Sequence, residues 1–376
     1  MLGGPLYQAL LRLRLLEPPI GLVGRRIMVS IAVTWLPLLV LSWGAGMAFG
    51  GTKVPFFHDV DTHVRLLIAL PMLLAAEPIV HERLMRAVRE FSERGIVAEG
   101  EQKRFAAIID DVMRLRNSMA IELVLLAAAI GVGYWIWREQ FASRVGTWYL
   151  APGGEALTLA GAWYAIVSLS LLRFVLFRWY FRLLLWYLFL WRVSRLPLRL
   201  NALHPDGAAG IGFLGGTLGA IAPVLVAQSA IVAGSLAGQL IYEGASLDAF
   251  RLEIGASIVL LALIGIAPLV AFTPALIRVG RDGRREYGSL SMRYVEEFRH
   301  KWMQGGRADP LVGSSDIQSL ADLGSAHERV GKSGAFPVSR QAIVRIVIVI
   351  ALPFAPLALT KMPLNELISR VLKQVI

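Results

Sequence analysis

The sequence predicts an all-α fold: a polytopic helical membrane bundle of about seven transmembrane helices, with a cytoplasmic helical hairpin and a short cytoplasmic helical segment. Three observations carry that expectation. The chain is 56% hydrophobic with a mean hydropathy of +0.60 and only 17% charged residues, more apolar than a soluble core of this length needs. Seven apolar stretches cross it, at 27–48, 64–80, 118–137, 158–177, 209–241, 254–277 and 342–360, most of them long enough for a hydrocarbon layer of roughly 30 Å. Basic residues are also segregated, with 28 of the 38 Lys and Arg in the alternate segments 1–26, 81–117, 178–208 and 278–341. Lysine and arginine concentrate on the cytoplasmic side of membrane proteins, so the N-terminus is expected there.

The first span begins at Ile27, after Arg25 and Arg26, and no small-residue cleavage site follows, so it reads as an uncleaved helix. After the second span, Leu84, Val88 and Phe91 keep helical spacing, Gly95 offers a left-handed stop, and Phe105, Ile108, Ile109, Val112 and Leu115 form a second stripe into the third span. Residues 81–117 therefore predict a helical hairpin whose apolar faces pack on each other or on another cytoplasmic element. Trp135, Trp137, Trp163, Tyr164 and Tyr242 fall near one predicted boundary, and Trp179, Tyr180 and Trp191 near the other, as aromatic belts do.

Residues 1–277 thus form the membrane bundle with its hairpin, 278–341 a cytoplasmic helical segment and linker, and 342–376 a last span and an amphipathic tail. Within 278–341, Leu290, Tyr294, Phe298 and Trp302 recur every four residues, a stripe for the membrane surface or for the hairpin. Ser315 and Gln318 predict a capping box for a second short helix that stops at Gly324, with a linker over 325–340. Pro353 and Pro356 predict a kinked or re-entrant end to the last span. Beyond it, Pro363 opens an interfacial amphipathic helix bearing Leu364, Leu367, Ile368, Val371 and Leu372.

Four formal charges lie in the apolar stretches: Glu77, Glu122, Arg173 and Arg345. Each sits about one turn from the cytoplasmic end of its span, which predicts an ion-pair layer in which Glu77 or Glu122 meets Arg173 or Arg345. The fifth span carries Gly212, Gly216, Pro223, Ala227, Gly234 and Gly238 near one line, where another backbone approaches closely. One position away, Thr217, Gln228, Ser235 and Gln239 form a polar stripe for interhelical hydrogen bonds or for a hydrophilic pathway.

The lead-in LHPDGAAGIGFLGG makes Asp206 the N-cap of the fifth span. Its helix N-terminus, with His204, Asp206 and the nearby Arg192, Arg195 and Arg199, is a candidate anion or lipid-headgroup site. His58, Asp59, Asp61 and His63 offer weak metal-ligand chemistry within one short loop, better read as a hydrated turn.

Several functions are excluded. With no cysteine there is no disulfide, thiolate metal site or cysteine nucleophile. A net charge of +11 in a membrane chain marks cytoplasmic loops beside anionic lipid headgroups and not nucleic acid. His204-Pro205-Asp206 lacks the soluble hairpin of a J domain. Gly210, Gly212 and Gly215 lack the strand of a dinucleotide fold, and Gly331-Lys332-Ser333 follows Ala326 where a phosphate-binding loop opens with Gly. No motif implies a cofactor.

Two stretches, LHPDGAAGIGFL and SSDIQSLADL, resemble segments of a widespread group of uncharacterised bacterial polytopic membrane proteins of similar length. The resemblance implies a bacterial inner-membrane location and no activity. The polar stripe, the Pro223 kink and the charged layer favour a channel or transporter for an ion or small solute. The alternatives are a membrane-anchored assembly or signalling partner acting through the cytoplasmic helices, with a homo-oligomer open, and least of all an integral-membrane enzyme. For the last, His81, His204, Asp206 and Glu77 are the acid–base candidates, and they lack a recognisable catalytic spacing.

Overall fold

The computed structural model describes residues 23–140, 146–151, 156–304, 314–332 and 334–360. These are 81% helical with no strand, and six helices are long and apolar enough to cross a membrane, seven if one bent pair is a single span. The tail helix expected at 363–372 lies outside the described residues.

Helix α1 (Val23–Gly44) breaks at Trp35, just before Pro37, and Thr34 Oγ1 donates to the Ser30 carbonyl one turn back. Helix α2 (Val60–Glu93) carries a π-helical stretch at Val64–Ala69, holds Pro78 in its interior and ends at Arg94, after which Gly95 takes a φ of +65° that only glycine adopts without strain. Helix α3 (Gln102–Arg116) returns along it and turns at Asn117 into α4 (Met119–Gln140), the two being bent by 46°. Helix α5 (Leu159–Val193) starts at the Thr158 cap, whose hydroxyl accepts from the Gly161 amide, and contains a second π-helical stretch at Tyr164–Ser168.

Helix α6 (Gly212–Tyr242) is the centre of the bundle, packed against α2, α7 (Arg251–Ile266) and α10 (Arg340–Ala351). Small residues permit this. At Gly234 a Cβ would stand 3.0 Å from Val64 Cβ, so α6 lies directly against the π-helical stretch of α2. Pro268 and Pro274 bracket a 3-10 stretch, Ala267–Phe272, between α7 and α8 (Thr273–Met303). Pro353 and Pro356 likewise turn the end of α10 into a 3-10 stretch, Leu352–Thr360.

Connectivity fixes which helices cross the bundle. Helices α2 and α5 both run toward the hairpin end, where Arg192 of α5 pairs with Asp111 of α3 at 3.0 Å. The backbone bridge between Val54 and Thr147 lies at the opposite end, so α4 must carry the chain across. Directions then alternate through α1, α2, α4, α5, α6, α7 and α10, so that among the described residues seven helices run between the two ends of the bundle if the bent pair α3–α4 is taken as one span.

The hairpin is docked and not merely solvated. Phe91 is fully buried at the centre of a phenylalanine cluster, with ring centroids 5.2 Å from Phe213, 6.0 Å from Phe105, 6.1 Å from Phe272 and 6.3 Å from Phe189. Each such pair contributes about 0.5–1.5 kcal/mol beyond burial. The cluster ties α2 and α3 to α5, to the first turn of α6 and to the 3-10 stretch before α8.

Three expectations are corrected here. The stripe Leu290–Trp302 sits on α8, a direct continuation of the sixth apolar stretch, and it packs against α9 (Ser315–Gly331) and neither the hairpin nor a surface. Tyr294 Oη donates to the Asp316 carbonyl at 3.1 Å, Trp302 Nε1 to its carboxylate at 3.0 Å, and Lys301 pairs with the same carboxylate at 2.9 Å. The cap of α9 is Ser314, whose hydroxyl accepts from the Asp316 amide, while Gln318 bonds Asp322 one turn on. Gly324 does not stop α9; a single glycine costs a helix only about 1 kcal/mol, which packing against α8 offsets, so part of the expected linker is helical.

Candidate functional site

Two polar clusters occupy the two ends of the bundle. At the hairpin end, Glu77 is buried on α2 one residue before Pro78. Its carboxylate lies 2.5 Å from Arg26 Nη2 and 2.8 Å from Arg182 Nη1, with Arg178 Nη1 at 3.9 Å. Arg178 Nε is in turn 3.7 Å from Glu122 of α4. The layer thus joins α1, α2, α4 and α5, its ion pairs among the described residues bringing three guanidiniums to two carboxylates. Ring faces hold the arginines in place: Arg182 lies 5.0 Å over Trp179 and Arg178 5.9 Å over Phe174.

The bases expected in this layer are elsewhere. Arg345 is exposed on α10 and, among the described residues, pairs with no carboxylate. Arg173 is five residues before Arg178, which turns it about 140° around α5. It points instead to the space left by Gly133, where a Cβ would collide with its guanidinium. The partners Arg26, Arg178 and Arg182 lie just outside the apolar stretches 27–48 and 158–177, where the sequence reads them as flanking and loop charges, while the helices continue past those limits. The four-residue spacing of Arg178 and Arg182, one helical face, was the available signal.

The second cluster lies at the opposite end, around the two π-helical stretches. Asp59 caps the start of α2, accepting from the Thr62 amide at 3.2 Å, the Thr62 hydroxyl at 2.7 Å and Trp148 Nε1 at 2.9 Å. Arg65 pairs with Asp61 at 2.7 Å and is in electrostatic reach of Tyr164 and of Arg173. Such π-helical bulges recur at functional sites. The four expected metal ligands form no metal-binding group among the described residues: Asp59 and Asp61 hold Thr62, Trp148 and Arg65, and His63 Nδ1 bonds the Asp59 carbonyl at 2.8 Å.

Beside this cluster opens a polar cavity of about 220 Å³. Lys53 and Glu243 stand exposed at its mouth, Asp59, Asp61, Tyr149 and Tyr242 line its flank, and Ser235 and Gly238 of α6 form part of the wall. Thr147, 7% exposed, contributes a buried hydroxyl with no hydrogen-bond partner among the described residues.

The polar stripe on α6 divides. Ser235 faces this cavity, and Gln239 is half-buried one turn further on. Deeper, Gln228 accepts from Tyr180 Oη at 2.8 Å while its buried Nε2 has no hydrogen-bond partner among the described residues. Thr217 turns its hydroxyl back to the Leu214 carbonyl at 2.6 Å.

The predicted anion site is already filled by the chain itself. The Asp206 carboxylate accepts from the amides of Ala208, Gly210 and Gly212 at 2.9, 3.1 and 2.8 Å, and His204 Nδ1 lies 2.9 Å from it. Burial alone would raise its pKa, but these amides and His204 outweigh that and hold the carboxyl below its usual range. Gly212 is required there, because a Cβ would stand 2.9 Å from the carboxylate oxygen. Arg192 pairs with Asp111 and Arg195 lies over Trp191 at 5.4 Å, so these two guanidiniums are engaged away from the helix N-terminus.

No known protein family matches the chain, and neither a curated protein nor a solved structure does. Fold and sites together define a class: an all-helical bundle of six to seven apolar, membrane-span-like helices with a charged layer at one end and a polar cavity at the other.

Proposed function

We propose that this chain is a multi-pass protein of a bacterial inner membrane, with its N-terminus cytoplasmic, that moves an ion or small polar solute. The observation that carries the reading is the cavity running from exposed Lys53 and Glu243 to the unpartnered hydroxyl of buried Thr147 and to Ser235 of the central helix. A bundle held only by packing has no use for an orphaned hydroxyl beside a polar space; an arriving hydrated solute would satisfy it. Gln228, with its free buried Nε2, lies two turns further along the same helix, and the ion-paired layer closes the far end. The shape is that of an outward-open vestibule above an ionic gate, with the π-helical stretches as the deformable parts of its wall.

The absence of native cysteine makes the test clean. Ser235→Cys and Gln228→Cys are introduced singly into the full chain in proteoliposomes. A membrane-impermeant thiol reagent applied from the cavity side should modify the cysteine at 235 rapidly and block flux of the transported solute, with the one at 228 reacting more slowly. Failure of the 235 cysteine to react, or no flux for any common ion or small solute, would remove the reading.

One observation favours the alternative of an assembly partner. Beyond the bundle, α8 leaves Met292, Val295 and Met303 exposed at 75%, 48% and 73%. An apolar face of this kind on a helix already packed against α9 suits a protein partner or a second copy. Crosslinking through a cysteine at 292 that depends on a protein partner, in a chain showing no flux, would favour it. Of the acid–base candidates for the enzyme alternative, Glu77 is bound by arginines and His204 by Asp206.

A further inference from the structure

A second cavity, of about 190 Å³, lies between α1, α2 and α5 at the hairpin end, and nothing in the proposed vestibule uses it. Its walls are apolar, formed by Val29, Val33, Leu74, Leu171 and Phe174 among others, and its only charged members are Arg26 and Arg178. Val29 and Val33 are 37% and 40% exposed, so the cleft opens sideways from the bundle, where lipid would stand.

The chemistry is graded along it. Helix α1 runs away from the hairpin end, so Arg26 precedes Val29 and Val33; α2 and α5 run toward it, so Leu74 and Leu171 precede the charged layer and Arg178. On all three helices the charged member therefore lies at the same end and the apolar members above it. An anionic lipid has that gradient, headgroup at the interface and chain toward the membrane centre.

Two further facts point to a negatively charged occupant. Arg26, 6% exposed, keeps its Nη1 buried with no hydrogen-bond partner among the described residues although Nη2 is engaged by Glu77, and the ion pairs of the layer, among the described residues, bring three guanidiniums to two carboxylates. A guanidinium has five donors and a buried one calls for an acceptor.

We infer that this cleft binds one anionic phospholipid, its phosphate bound by Arg26 and Arg178 and one acyl chain laid along Val29, Val33, Leu74, Leu171 and Phe174. The site is distinct from the lead-in of α6, where Asp206 occupies the amides. Bound lipid would bridge α1 to α5 and complete the charge balance of the layer.

The test is native mass spectrometry of the purified full chain offered equal amounts of phosphatidylglycerol and phosphatidylcholine. Wild type should retain one phosphatidylglycerol in preference by about tenfold, a difference of about 1.4 kcal/mol. Arg26→Gln should lose the preference. So should Val33→Trp and Leu171→Trp, which fill the apolar part and leave every charge in place; either suffices if the other does not fold. Equal retention of both lipids by wild type would overturn the inference. So would preference surviving in the tryptophan variants, which would mark a general attraction of a basic protein to anionic lipid. Displacement of the lipid by millimolar inorganic phosphate would also overturn it, by showing that the site takes a free anion.

Discussion

At the scale of the residue, Glu77 decides the most. A carboxylate that holds Arg26 at 2.5 Å and Arg182 at 2.8 Å, all three buried, cannot be removed without stranding positive charge in the bundle. Glu77→Gln should therefore cost about 3–5 kcal/mol, the usual penalty for breaking a buried pair from one side. Arg345→Gln, on an exposed position, should stay within about 0.5 kcal/mol. Thermal unfolding of both variants in the same detergent reads the contrast; equal losses would mean that the layer is placed wrongly. The sequence makes Glu77 visible because a carboxylate among leucines has no other explanation. It hides Arg26, Arg178 and Arg182 because arginine near the end of an apolar run looks the same whether it reaches to the interface or turns inward to an acid. Asp206 is legible for the opposite reason. HPDG before a glycine-rich helix start needs an internal cap, and the aspartate that supplies it also removes the amides that an external anion would have used.

At the scale of the element, glycine in a helix has two meanings that spacing alone does not separate. Gly234 on α6 sits where a Cβ would come 3.0 Å from the β-branched Val64, whereas Gly324 on α9 has open space around it. Gly234→Ala should cost about 1–3 kcal/mol, because a stiff valine on a π-helical stretch must move aside. Gly324→Ala should instead stabilise by about 0.5–1 kcal/mol, since the backbone there is helical already. Paired melting measurements check both signs, and a stabilising Gly234→Ala would contradict the close approach of α6 to α2. Periodicity locates both helices but reads Gly324 as a stop, because what carries α9 past it is packing against α8, a tertiary fact. The π-helical stretches leave no trace in the composition at all. They appear where α2 and α5 carry Arg65 and Tyr164 into a shared polar cluster, and one extra residue per turn re-aims those side chains.

At the scale of the whole molecule, the seven-span reading rests on connectivity more than on hydropathy. By length and apolarity six helices qualify, and α4 is counted only together with its bent neighbour α3. Yet α2 and α5 both end at the hairpin, where Asp111 meets Arg192, and the Val54–Thr147 bridge stands at the other end. Without α4 as a crossing, α5 would begin at the wrong end of the bundle. Seven alternating crossings place Val23 and Thr360, the first and last described residues, at opposite ends of the bundle, and six would place them at the same end. In the proposed orientation, with the basic segments facing the cytoplasm, the hairpin, α8 and α9 lie on that side. Single cysteines at Ser92 in the hairpin turn and at Ser246 before α7, both outside the bundle core, should therefore label from opposite sides of a sealed vesicle, with Ser246 reacting on the outer face. A reporter fused after Ile376 should share the outer side with Ser246. Labelling of Ser92 and Ser246 from one side would break the alternation and the vestibule with it, because Lys53 and Glu243 would then no longer mark an outward-facing mouth. If the reporter alone were cytoplasmic, the proline-driven 3-10 end of α10 at Leu352–Thr360 would be the turning point of a re-entrant segment, and the other six crossings would stand.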